Sequence, residues 1–274
     1  MSDVIERYRW AQKQAVADFD ELGVFGYAGE MYSVIKKLLA EIENEPRGFE
    51  YAFLSIEYAQ LDIEGRIYDS AKKYALAAYD ALSNAEASEE TKKLLFHAVK
   101  IIVMSCNELD DWSGADRLKI TRLDYELSKK YPSPNSTFSK STPVLDYADA
   151  LLDADQLSDH EDLRRTIFDK LDELERLSKN DDIMSVASAR KLKRILSAFG
   201  APELAQKIYE RILLEKVERL RDNIENGEDS DNQDWNLRQS DMAIGLLKEL
   251  GRDKDVKCWE RRRELIEEPW KRLP

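Results

Sequence analysis

Apolar residues recur along this chain every three or four positions, the spacing that places them on one face of an α-helix. Ile5, Tyr8, Ala11, Ala15, Phe19 and Leu22 form the first such stripe and predict a helix ending at Gly23. Met31, Val34, Ile35, Leu38, Leu39 and Ile42 form a second, which stops before Pro46. Further stripes run through Leu94, Ala98, Ile101, Ile102 and Leu109, and through Ile120, Leu123, Leu127 and Tyr131. The longest joins Leu204, Ala205, Ile208, Tyr209, Ile212, Leu213, Val217, Leu220 and Ile224. No segment alternates polar and apolar residues as a half-buried strand does. The pattern predicts an all-α protein of roughly 12 helices.

Local signals agree with the periodicity. Ser158 and Glu161 are spaced as a capping box, Thr142-Pro143 as an N-cap before a proline in the first turn. Gly23, Gly227 and Gly251 follow periodic segments, where a helix end favours a left-handed residue. Short turns force consecutive helices to run antiparallel, so the expected unit is the α-hairpin. Two interruptions are longer. The proline- and serine-rich stretch 132–143 reads as a linker between an N-terminal helical-hairpin bundle (1–131) and a C-terminal one (144–274). The stretch 226–234 reads as an acidic loop inside the second bundle.

The hairpins share a small residue near the start of their second helix: Ala71 followed by Ala75, Ala115, and Ala205 followed by Tyr209, with Val256 in that place in the last. Ala71, Ala75, Ala115, Ala205 and Tyr209 are therefore expected between helices. The Ala205–Tyr209 spacing, and more loosely Ala115 with Pro132, resembles the tetratricopeptide-repeat family over about four hairpins between residues 50 and 267. The resemblance implies stacked antiparallel hairpins in an α-solenoid, and a protein that binds other proteins. It carries over no catalytic residue.

Composition narrows the choice of class. Only 10 Gly and 7 Pro occur in 274 residues, too few turn residues for a sandwich or barrel of many short strands. Hydrophobic residues at 43% and charged ones at 35% suit a folded, water-facing chain. No run approaches the roughly 18 apolar residues that cross a bilayer, so no membrane association is expected. The N-terminal sequence lacks the basic and apolar regions of a secretory signal. Cys106 and Cys258 are too few for a disulfide framework and fit a reducing cytoplasm.

Candidate chemistry is sparse. His97 and His160 are the only histidines, and neither has a metal-ligating partner four residues on. Cys106 and His97, nine residues apart on one helix, cannot hydrogen-bond as a nucleophile and base. Gly23, Gly26 and Gly29 follow a helix and have neither dinucleotide-loop spacing nor a P-loop lysine, so they read as an interhelical turn. Asp149, Asp153, Glu161 and Asp162 form an oxygen-rich group without the Glu-x-x-His pairs of di-metal bundles, and read as a solvated acidic face. Near the end, Arg261, Arg262, Arg263, Lys271 and Arg272 accompany Trp259 and Trp270, but interleaved glutamates make this a surface helix rather than a nucleic-acid footprint. The reading is of a non-catalytic scaffold or regulatory subunit, without cofactor or metal, that binds a partner protein or peptide on a helical-repeat surface. The net charge of −13 admits an acidic inhibitor imitating nucleic acid as the alternative, and a helical small-ligand sensor as another.

Overall fold

In the computed structural model of the chain, helices begin where side chains can satisfy the first backbone N–H groups. Ser88 accepts from the Thr91 N–H at 3.0 Å, Asp116 from that of Lys119 at 3.0 Å, and Asn232 from that of Trp235 at 3.1 Å. The structure describes residues 3–17, 19–42, 48–83, 85, 88–131, 143–169, 171, 186–226 and 232–267. Among the described residues there are twelve α-helices and no strand. The chain divides into two compact units, Met1–Pro143 and Val144–Pro274.

The first unit contains α1 (Asp3–Ala17), α2 (Phe19–Glu41), α3 (Phe49–Glu64), α4 (Tyr68–Ser83), α5 (Glu89–Leu109) and α6 (Arg117–Ser128). Each helix packs on its successor, and α3 also touches α1 and α5, as stacked hairpins require. Ala71, Ala75 and Ala78 of α4 have no exposed surface, nor do Ala52 and Ala59 of α3 or Ala98 of α5. Alanines at these crossings let backbones approach closely and add no side-chain entropy loss. Two buried lysines also serve this unit. Lys100 of α5 reaches Asp124 of α6, and Lys72 of α4 bonds Asp111 beyond α5 at 2.6 Å.

The second unit contains α7 (Pro143–Asp153, whose first residue closes the preceding unit), α8 (Glu161–Asp169), α9 (Val186–Ala198), α10 (Pro202–Asn226), α11 (Gln233–Glu249) and α12 (Asp253–Glu267). From α9 to α12 each helix packs on the next. Gly200 and Gly251, at φ +81° and +66°, turn the chain after α9 and α11. An L-residue there would sit in the left-handed region that glycine enters freely.

Several expectations need correction. Ala115 does not open a helix and is only half-buried, because Asp116 caps α6 and the first helical residue is Arg117. The fourth residue of the second helix in each hairpin is the one buried: Ala71, Ile120, Ala205 and Val256. Ala205 and Tyr209 are buried as expected, at 1% and 3% exposure. The break expected at Gly23 is present, at φ +65°, on either side of which α2 is helical, but Gly26 and Gly29 lie inside the helix and not in a turn. Ser158 lies in a single 3₁₀ turn, Leu157–Asp159, and α8 begins at Glu161, so no capping box forms. Of the linker expected at 132–143, Pro143 opens α7, and Pro132 to Thr142 lie outside the described residues. Of the acidic loop, Asn226 ends α10 and Gln233 and Asp234 belong to α11, while residues 227–231 lie outside.

Candidate functional site

The sequence Arg190-Lys191-Leu192-Lys193-Arg194 puts four cations in five residues of α9. Helical geometry sorts them by direction. Ala189, Leu192, Ile195 and Leu196 face the core of the unit, so the cations occupy the flanks and the outer face. Lys191 and Arg194, three residues apart, lie beside carboxylates that repeat on α7 with the same period. Lys191 Nζ is 2.6 Å from Asp146 Oδ1, and Arg194 is 2.8 Å from Asp149 and 2.5 Å from Asp153. On its other flank, Arg190 forks onto Glu249, the last residue of α11, with N···O distances of 3.0 and 2.6 Å. Tyr209 of α10 donates its hydroxyl to the same carboxylate, and the Lys193 ammonium stands 4.7 Å from the centre of the Tyr209 ring.

These side chains border an open groove of about 690 Å³, lined by Leu152, Arg190, Lys193, Arg194, Ser197, Tyr209 and Glu249. That volume lies within the range of ordinary ligand sites. Its lining holds three cations and one carboxylate, in a chain whose net charge is −13. Arg190 holds the Glu249 carboxyl below its usual range, so it stays ionised and keeps the guanidinium oriented. Burial and the hydrogen bond to Glu249 raise the Tyr209 phenol, which therefore remains a proton donor. With Arg190 and Arg194 bonded to carboxylates, the groove presents the Lys193 ammonium beside the aromatic wall of Tyr209. Smaller cavities lie against α1 and α2, about 350 Å³ around Trp10, and on α6, about 370 Å³ around Arg122.

Of the residues singled out from sequence, Tyr209 lines the groove and Asp149 and Asp153 border it through Arg194, while the rest lie elsewhere or outside the described residues. Asp149 and Asp153 do meet at Arg194, Asp153 on the solvated side as expected and Asp149 buried instead. Asp146 and Asp149 are 4% and 2% exposed and are neutralised by α9. Glu161 pairs with Arg164, and Asp162 is exposed. Among the described residues no three of the His, Cys, Asp and Glu side chains group as metal ligands. Cys106 is fully buried, which pushes its thiol up to about 11 and keeps it protonated. Burial likewise lowers His97, whose ring lies against Phe96. Of the expected C-terminal cations, Arg262 pairs with Glu225 at 2.8 Å and Arg263 with Asp241 at 2.6 Å, while Arg261 is exposed. Trp259 is buried beside Arg262, while Trp270, Lys271 and Arg272 lie outside the described residues.

Reasoning from sequence missed Arg190, Lys193 and Glu249. The signal was present in the four-cation run, the densest in the chain, and in its three-residue match to Asp146 and Asp149. No known protein family, curated protein or solved structure matches the chain.

Proposed function

We propose that this protein is a non-catalytic interaction scaffold or regulatory subunit that binds a partner protein through the groove beside α9. The observation that carries the reading is the groove itself, where Arg190, Lys193, Arg194 and Tyr209 surround about 690 Å³ of open space on stacked hairpins. Hairpin stacks present such surfaces because each helix pair buries one side and leaves side chains of the other to a partner. The tetratricopeptide-like character of the Ala205–Tyr209 hairpin belongs to the same proposal. So does a reducing, cytoplasmic setting, consistent with a buried Cys106 and an exposed Cys258, both unbonded. No described helix is long and apolar enough to cross a membrane. Imitation of nucleic acid needs a dense outward array of carboxylates, and the buried pairing of Asp146 and Asp149 removes two of them from any such array.

The test is chemical cross-linking in the native cell followed by purification of the full chain. A stoichiometric partner should accompany the native protein and be lost from Lys193→Glu, whose melting temperature serves as the folding control. Recovery of no partner from several growth conditions would refute the reading. A melting temperature raised by one metabolite in a ligand panel would favour the small-ligand sensor instead.

A further inference from the structure

On α11, Trp235, Arg238, Met242, Gly245 and Glu249 fall within an arc of about 80°, at 100° per residue. All five positions are exposed, with Trp235 at 39% and Met242 at 48%. The buried side of the helix, from Asn236 to Leu247, lies next to this stripe rather than under it. Its last member, Glu249, is also the carboxylate held by Arg190, so the stripe runs into the groove.

Gly245 sits between Met242 and Glu249 in the stripe and in the interior of a 17-residue helix. A glycine there destabilises the helix by about 0.5–1 kcal/mol relative to alanine. Its conformation does not need glycine, since its φ is not positive. A Cβ built on it meets nothing within 4 Å, so the packing of the fold does not need it either. A bare backbone one turn beyond the exposed Met242 leaves room for another chain to cross closely. Trp, Met and Arg are the residue types enriched at protein interfaces, and Arg238 makes no ion pair among the described residues.

We propose that the stripe and the groove form one docking surface for an acidic segment of a partner protein. A partner carboxylate pairs with Lys193, a partner apolar side chain lies on Trp235 and Met242, and the partner backbone crosses at Gly245. Charge complementarity selects the acidic segment: with Arg190 and Arg194 bonded to carboxylates, Lys193 in the groove and Arg238 on the stripe are the cations that make no ion pair among the described residues. The apolar stripe selects a peptide, which brings apolar side chains together with carboxylates, over a nucleic acid held mainly through its phosphates. This inference rests on the protein-binding reading above and specifies its partner chemistry.

The experiment pans the immobilised full chain against a phage-displayed library of random dodecamer peptides. A fluorescent single-stranded oligonucleotide is titrated in parallel. The expected result is enrichment of peptides combining Asp or Glu with Leu, Phe or Trp. Their affinity should fall about tenfold or more in Lys193→Glu and in Gly245→Leu. Gly245→Leu should leave the melting temperature unchanged or raise it, since leucine is the better helix former. A loss of binding without loss of stability therefore reports the docking surface and not the fold. Peptides that bind all variants equally would overturn this surface while leaving the protein-binding reading to the cross-linking test. Enrichment of basic peptides, enrichment of none, or Lys193-dependent binding of the oligonucleotide would overturn the proposed occupant.

Discussion

Replacing Lys100 by Met removes the cation from a carboxylate with no exposed surface. Lys100 Nζ lies 3.0 and 3.1 Å from the two oxygens of Asp124, with side-chain exposures of 6% and 0%. The ring of Phe96 stands 5.5 Å from the same ammonium. At that separation and an effective dielectric of about 20, the mutual attraction is about 5 kcal/mol. Desolvation of both ions opposes it, so the pair adds little net stability, but breaking it from one side leaves a buried charge and costs about 3–5 kcal/mol. We predict that loss for Lys100→Met and a similar one for Asp124→Val. For a unit of this size it corresponds to a lowering of the melting temperature by about 10 °C. The double variant replaces both charges with apolar groups and should recover to within about 1 kcal/mol of the native protein. Calorimetry of the four proteins completes the double-mutant cycle. Additive losses in the double variant would refute the argument, because they would show that Lys100 and Asp124 act through packing and not through each other.

Ala205→Leu inserts bulk at a 1%-exposed crossing and should destabilise by about 1–3 kcal/mol; an unchanged melting temperature would show that α10 does not pack closely there. Burial raises the Glu57 carboxyl above its ordinary value, against the opposing hydrogen bond from Tyr8. A raised acid favours the folded state at low pH and penalises it once ionised, so Glu57→Gln should stabilise at pH 7 and lose that advantage at pH 4. A destabilised Glu57→Gln at pH 7 would mean the carboxylate is needed as an ion. Asp111 is held at about 2 by the Lys72 ammonium and by bonds from Ser113. A lowered carboxyl contributes stability above its unfolded value near 3.9 and loses it as pH falls through about 2. Denaturant midpoints of native protein and Asp111→Asn should therefore differ at pH 7 and converge at pH 2; an equal gap at both would contradict the pairing.

The periodic stripes made the helices legible because burial of one helical face is a local signal. Ile208, Tyr209, Ile212 and Leu213 face inward as their spacing requires. Boundaries were less legible where two signals competed. The small residue Ala115 suggested a helix start, but the capping carboxylate of Asp116 sets it two residues later. At the amino end, the glycines at 23, 26 and 29 look alike in sequence, but only Gly23 takes a positive φ and breaks the helix, while Gly26 and Gly29 continue it. The groove was the least legible part. Asp146 and Asp149 look like surface residues until the cations that bury with them are known, and those lie 45 positions away on α9. Periodicity on one helix says which residues share a face, not which other helix that face will meet.

The bond between Arg190 and Glu249 makes the groove its own competitor. Any external anion that approaches this guanidinium meets a carboxylate already tethered there, present at the high effective concentration of an intramolecular group. A lone carboxylate on a free metabolite brings nothing that Glu249 does not already supply, so it gains no foothold. An occupant succeeds only by adding contacts elsewhere, on Tyr209 or along α11, at the same moment. Upon its departure Glu249 reoccupies the arginine, and no buried charge is stranded by the exchange. For the partner segment proposed above, the pair would act as a filter against small anions and as a reset on release.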